Sequence, residues 1–567
     1  KAGGASPQET EEEGHADLPI SAWAIRASAE ETKAGGPQGP INIAKDPKTL
    51  QAADAYYKIV RSLPEGTENA WAQAAAAGAK LLLAGGSVAE AAKGLWESRE
   101  RSGDCNLAGI ADDKFDTVLH PALLDYLRDV RARGMAARFV GERTSVRASP
   151  HPRARANMSQ LFTQVWKDVQ KGRVLVLPTK SASTVTLISS PLDLAEKMLP
   201  DRSISSDMRL IHDQRQTNTE TDKLWHPPAG QPKHLQIARI IVWFRLRFPG
   251  VPVLLAKKDI AGAFRLLWVD PEDAELFGAD APWETSSMSE PTSSASFGED
   301  FTELVEIWAL HEGITFVYLV ASFGFTGSPG EWTPWGRGAE DFHRGHHPAK
   351  GRRDGSVPFD SRALVDDTIL VEPWLGLRPW VSAMCFESGA RLMLGPEAIN
   401  ADKDKVEGAF CTRQTIWGAD FDSAIDEARL PDRRIMKGAS LIGSPVFDPG
   451  NQAVTLRDVQ RLRGTAGGWT AFVPGLENEL KAADKLLGGT DGRQRAKPPP
   501  KRDRQGNEVQ RSPAELAIIW EDWWSLCEVL RWLCSRPESW TTKFRAGLRE
   551  LLPVKERLSL PGEAELV

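Results

Sequence analysis

The stretch Leu364-Val365-Asp366-Asp367-Thr368-Ile369-Leu370 sets two adjacent carboxylates between the apolar runs Ala363-Leu364-Val365 and Ile369-Leu370-Val371. Short apolar runs rich in β-formers read as strands, and the polar pair between them reads as a tight turn. The segment is therefore expected to be a β-hairpin with the aspartates at its bend. Two like charges held together in a fold are costly unless something neutralises them, and a divalent cation does so. The plainer reading is a solvated turn, so the rest of the chain has to decide.

Upstream, Val251-Pro252-Val253-Leu254-Leu255-Ala256-Lys257-Lys258-Asp259 is an apolar strand ending in one aspartate, followed by Ile260-Ala261-Gly262-Ala263-Phe264-Arg265. Between it and the hairpin lies Ala321-Ser322-Phe323-Gly324-Phe325-Thr326-Gly327-Ser328-Pro329-Gly330, a glycine-rich turn leading into a helix. This order of strand-Asp, glycine turn and Asp-Asp hairpin resembles the palm of a reverse transcriptase, the RNA-directed DNA polymerase of retrotransposon and retrovirus Pol proteins. The resemblance spans roughly residues 120 to 490.

Further stretches join it. Met208 to Asn218 meets an R-x-x-x-D-x-R-x-x-N pattern at Arg209, Asp213, Arg215 and Asn218, similar to a strand of the family's fingers; a surface Asp–Arg pair is the plain alternative. Thr415-Ile416-Trp417-Gly418 looks like the primer-gripping strand, and Val454 to Gly464 looks like the thumb.

The resemblance implies an α+β right-hand polymerase of fingers, palm and thumb. It has a helical N-terminal extension and a C-terminal helical segment. The expected boundaries are a disordered leader at 1–45, a helical region at 46–115, fingers at 116–225 and palm at 226–420. Thumb and connection follow at 421–490, a basic linker at 491–511 and the helical segment at 512–567, opened by Ser512 as cap and Pro513 at the first position. A Ser-rich loop is expected from Thr285 to Phe297, and an irregular stretch from Trp332 to Pro358.

The activity so implied joins a primer 3′-hydroxyl to the α-phosphate of a dNTP, with two Mg²⁺ or Mn²⁺ ions about 4 Å apart. Such ions take hard oxygen ligands, and Asp259, Asp366 and Asp367 are the implied set. Lys403, with Lys405 as rival, is the implied acid that protonates pyrophosphate. Lys197 and Arg209 would contact the triphosphate; Ala263, Phe264, Phe323 and Gly324 would shape the nucleotide site. Phe264 takes the place of a steric gate against a ribose 2′-hydroxyl, unless it is plain core. Arg215, Asn218, Gly327, Ser328, Pro329, Trp417 and Gly418 would meet template or primer. Phe323 stands where retroviral enzymes carry glutamine, and Gly330-Glu331-Trp332 departs from the family's usual A-x-F.

Composition sets the outer bounds. The 567 residues are 41% hydrophobic and 26% charged, enough for several globular domains. The net charge of −7 argues mildly against a nucleic-acid binder, although acidic tails dilute a basic cleft. Five scattered cysteines without C-x-x-C exclude a disulfide scaffold or zinc knuckle and suit a reducing intracellular compartment, cytoplasmic or nuclear. No run is long and apolar enough to span a bilayer, so no membrane partner is expected. Because the chain starts at Lys1, it is expected to be a piece of a longer polyprotein or gene product, with any ribonuclease H domain outside it. His343, His346 and His347 lack a fourth ligand nearby and read as a basic loop rather than a zinc site. Two other readings stand beside the polymerase: a catalytically inactive RNA-binding scaffold of the same fold, and an RNA-dependent RNA polymerase, which Phe264 disfavours.

Overall fold

The computed structural model describes residues 47–62, 70–98, 115–198, 204–283, 298–346, 357–473, 475–489, 491–503, 505–536 and 541–543. The leader, the Ser-rich loop, Cys105 and the group His347, Lys350, Arg352 and Arg353 lie outside these residues. The chain divides into two compact units.

In the first unit, α1 (Pro47–Ser62), α2 (Ala70–Gly85) and α3 (Val88–Ser98) precede α4 (Pro121–Arg133), α5 (Met158–Val169) and β1 (Val174–Pro178). Helix α2 is half alanine and carries Gly78 where it meets β1: a Cβ there would come within 2.0 Å of the Val176 carbonyl oxygen. That closeness lets Trp71 reach Phe162, Trp166 and Phe316 in one aromatic cluster. The hairpin of β2 (Leu192–Met198) and β3 (Ile204–His212) follows, then the short helix α6 (Arg215–Thr219). The sequence pattern Arg209 to Asn218 is thus not one strand. It turns after His212, because Asp213 is drawn back by Arg215, whose Nε and Nη2 donate at 2.8 and 2.6 Å, and by His151 Nε2 at 2.9 Å.

Helix α7 (His234–Arg247) leads to β4 (Val253–Asp259). Strand β5 (Gly278–Pro282), α8 (Gly298–Leu310) and β6 (Gly313–Tyr318) come next, and β1-β6-β5 form an antiparallel sheet. Helix α9 (Ser328–Gly345) corrects the expectation of an irregular stretch from Trp332. Pro334 and four glycines depress its propensity, but burial of Trp332, Trp335, Ala339 and Phe342 outweighs them. Gly338 lets Met393 and Leu127 pack against the helix backbone.

The Asp-Asp hairpin is β7 (Asp360–Leu364), a two-residue turn at Val365–Asp366, and β8 (Asp367–Pro373). Only Asp366 is in the turn; Asp367 opens the second strand. The strands form a sheet in the order β4-β8-β7. Helices α10 (Arg378–Leu394) and α11 (Ala401–Glu407) follow. The boundary between units falls within β4 and β8, leaving Asp259, Asp366 and Asp367 in the first.

The second unit contains α7 and a four-stranded antiparallel sheet, order β12-β11-β10-β9. Its strands are β9 (Arg413–Ile416), β10 (Ala419–Asp422), β11 (Glu427–Arg429) and β12 (Thr541–Lys543). Helices α12 (Asp432–Ile442), α13 (Leu456–Gly467), α14 (Leu476–Asp484) and α15 (Pro513–Cys534) complete it. Ser512 and Glu515 form the capping box that starts α15. The basic segment expected as a linker is tied down: Ala496 is buried, Leu456 N donates to Gln494 O at 2.9 Å, and Lys501–Arg502 pairs with Glu508–Val509.

Candidate active site

The site is built where β4 ends. Asp259 is 4% exposed, and its main chain is extended by a third segment: Asn400 N donates to Asp259 O at 2.9 Å and Ala261 N to Ala398 O at 2.8 Å. The Asp259 carboxylate accepts from Asn400 Nδ2 at 2.9 Å and from the Lys403 ammonium.

The β7–β8 turn meets it from the neighbouring strand. Ile260 N donates to Asp366 O at 2.8 Å, and Trp332 Nε1 donates to Val365 O at 2.7 Å. Val365 sits at φ +54°, a left-handed conformation that a β-branched residue seldom takes. Strain of this kind costs about 1–3 kcal/mol and persists only where neighbours enforce it. Here the two hydrogen bonds enforce it, and the result sets the Asp366 carboxyl beside Asp259. Burial raises the Asp366 carboxyl above the ordinary range, and the Asp259 charge raises it further, while Lys403 and Arg209 pull it back. The chain thus brings together four predicted residues: Asp259 and Asp366, 107 positions apart in sequence, with Lys403 and Arg209. Asp367 adjoins them, half-buried, at the start of β8.

The implied nucleotide site is partly assembled. Phe264 follows a turn in which Gly262 and Ala263 both have positive φ, and its ring is buried. It packs on Phe323 at 5.0 Å and on Trp332 at 6.5 Å, so Trp332 links it to the Val365–Asp366 turn. Phe323 itself is 43% exposed. Arg209 lies opposite Ala195 in the β2–β3 hairpin, and Lys197 sits at the register shift between Glu196 and Met198.

The glycine turn is shaped by its own chain. Gly324 has φ +121°, and a Cβ there would lie 1.9 Å from the His212 carbonyl oxygen. Gly327 faces the His226 ring. Asn218 clamps the turn, donating to Gly324 O and accepting from Thr326 N, both at 2.8 Å. Ser328 Oγ donates to Ser322 O, and Pro329 lies in the first turn of α9. In the first turn of α9, Glu331 is buried between His226 Nδ1, at 2.7 Å, and the Tyr126 hydroxyl. A recess of about 290 Å³ beside the turn is lined by His151, Asp193, Asp213, Arg215 and Gly324 among others. Trp417 and Gly418, in the second unit, form the β9–β10 turn, both with positive φ as a two-residue hairpin of the primed kind requires.

Sequence reasoning passed over Lys258, Glu387 and Asp404. Lys258 Nζ lies 2.8 Å from Glu387 Oε1 and 2.6 Å from Asp404 Oδ1. The available signal was a charged Lys-Asp pair closing an apolar strand and a second Lys-Asp pair opening a helix. His343 is a buried residue of α9, its ring nitrogens at 3.0 and 2.8 Å from the Ser361 and Ser382 hydroxyls, and not part of a basic loop. Among the described residues no group of three or more His, Cys, Asp or Glu converges to hold a metal ion, and no helix is long and apolar enough to cross a membrane.

No family model and no curated protein matches the chain. Solved structures of the foamy viral protease-reverse transcriptase are similar to it. One, the dRH form in complex with ds DNA, has 12% identity over 76% of this chain and 61% of that one, with a TM-score of 0.39. The complex with dsDNA has 12% identity over 76% and 73%, TM-score 0.38; the complex with RNA/DNA hybrid has 13% over 76% and 47%, TM-score 0.39. The chain therefore spans about 61% of the first of these and about half of the third. A likeness at these scores adds nothing to the functional argument, which rests on the site.

Proposed function

We propose that this chain is an RNA-directed DNA polymerase of a retroelement, with its fingers, palm and thumb at about 116–225, 226–420 and 421–490. The observation that carries the reading is the meeting of Asp259, at the end of β4, with Asp366 on the strained β7–β8 turn, whose carbonyl accepts from Ile260 N and whose carboxyl feels the Asp259 charge. The donor chemistry suits a hard divalent cation: carboxylate oxygens only, in a pair whose mutual repulsion favours neutralisation. Asp259, Asp366 and Asp367 would hold two Mg²⁺ or Mn²⁺ ions, which supply an acidified primer hydroxyl and charge neutralisation when bound.

The remaining work falls to the chain's own side chains. Arg209, already within electrostatic reach of Asp366, orients the dNTP triphosphate, with Lys197 beside it. Lys403 gives its Nζ proton to the departing pyrophosphate. Phe264, packed against Phe323 and Trp332, would collide with a ribose 2′-hydroxyl. Arg215 and the recess beside Gly324 take the RNA template, Asn218 keeps their turn in shape, and Trp417–Gly418 meets the DNA primer. One observation favours the alternative of an inactive RNA-binding scaffold: Lys403 already meets the Asp259 charge.

The test is primer extension on an RNA template with dNTPs and Mg²⁺ or Mn²⁺, beside Asp366→Asn. Extension by the parent and its loss in the variant are expected. Tight primer–template binding with no extension favours the scaffold. Extension with rNTPs as readily as with dNTPs removes the gate role from Phe264.

A further inference from the structure

Lys258 and Asp259 end β4, while Lys403 and Asp404 lie in the first turn of α11, and the two Lys-Asp dipeptides pair crosswise. Successive strand side chains leave opposite faces, so α11 is gripped at two places. The Lys258 side chain is only 4% exposed and lies between Glu387 and Asp404; Glu387 is itself backed by Arg391. An ammonium buried to this degree between two carboxylates fixes the helix to the strand. Lys403 and Asn400, held by that helix and the residue before it, then take one Asp259 oxygen each. The cation paired with Asp259 in this arrangement is a lysine of the chain itself, and it acts on Asp366 together with Arg209.

We propose that Lys403 is the resident counter-ion of the Asp259–Asp366 pair, held there by the Lys258–Glu387–Asp404 clamp, and that a divalent cation binds the pair only in exchange for it. The inference rests on the metal-site reading above. Lys258 is a positioning residue that acts through α11 and touches no reacting group. The exchange also releases the Lys403 ammonium to meet the phosphates of an incoming nucleotide.

The experiment is Mn²⁺ titration of the full chain, followed by loss of the free-ion paramagnetic resonance signal. Lys403→Met is expected to bind Mn²⁺ about 10-fold more tightly than the parent, the effect of removing one close charge competitor. Lys405→Met removes the same charge from an exposed position two residues on, and is expected to change affinity by less than about 2-fold. Asp404→Asn separates exchange from bulk charge. Loss of an acid alone weakens cation binding, whereas release of α11 tightens it, by about 3-fold. If Lys403→Met does not fold, Lys403→Gln, which keeps a donor for Asp259, carries the same comparison. Unchanged affinity in the Lys403 variant, or weaker binding in Asp404→Asn, overturns the exchange while leaving the metal site standing. Absence of Mn²⁺ binding in the parent and every variant overturns the metal site as well.

Discussion

At the scale of single residues, the ionisable groups report how much electrostatic tension the first unit holds. Asp270 caps a short 3₁₀ turn, its Oδ1 accepting from Glu272 N at 3.0 Å. Burial, then the Asp273 charge, pushes its carboxyl up to about 6, against the pull of Lys93, Arg133 and Arg143. A carboxyl whose folded value lies above its unfolded value costs stability once it ionises. That cost is absent below about pH 4 and grows as the pH rises to about 6. Asp270→Asn keeps an N-cap acceptor and removes the charge. It is expected to stabilise the protein by about 2 kcal/mol at pH 7 and to change nothing at pH 4. Thermal unfolding at the two pH values checks this; an equal shift at both contradicts it. Asp213 leans the other way: its hydrogen bonds to Arg215 and His151 help hold its carboxyl down to about 2, so it stays ionised beside the Gly324 recess at any physiological pH.

At the scale of elements, the glycine turn between β6 and α9 and the β7–β8 hairpin are each fixed by a side chain distant in sequence. Asn218→Ala removes both hydrogen bonds that clamp Gly324 and Thr326 and is expected to destabilise by about 1–3 kcal/mol. A loss seen only in primer–template affinity, with unfolding unchanged, contradicts the clamp and leaves a pure contact role. Gly324→Ala brings a Cβ against the His212 carbonyl at a φ that alanine avoids. It is expected to cost more than about 2 kcal/mol in the same unfolding measurement, and a neutral effect refutes this reading of the turn. These elements also show what was legible in the sequence. The Asp-Asp hairpin and the Asp259 strand could be read because apolar runs and turn residues are local signals. Helix α9 could not, since Pro334 and its glycines argue against a helix that only the burial of Trp332, Trp335 and Phe342 sustains. The roles of Trp332 on Val365 O and Lys258 on Asp404 were hidden for the same reason: each joins residues that only the fold makes neighbours.

At the scale of the whole molecule, the chain places its chemistry-bearing acids in the first unit and the Trp417–Gly418 turn in the second. The proposed function makes Asp259 and Asp366 a single functional device rather than two independent contributors. Groups that act together show strongly non-additive effects when removed. The most direct measurement is the single-turnover rate of dNMP addition to a primer on an RNA template, for the parent, Asp259→Asn, Asp366→Asn and the double variant. The account predicts that each single change lowers the rate by at least about 10³-fold and that the double change costs little beyond the worse single one. Substantial addition by either single variant, or a parent that binds primer–template tightly and adds nothing, would contradict it.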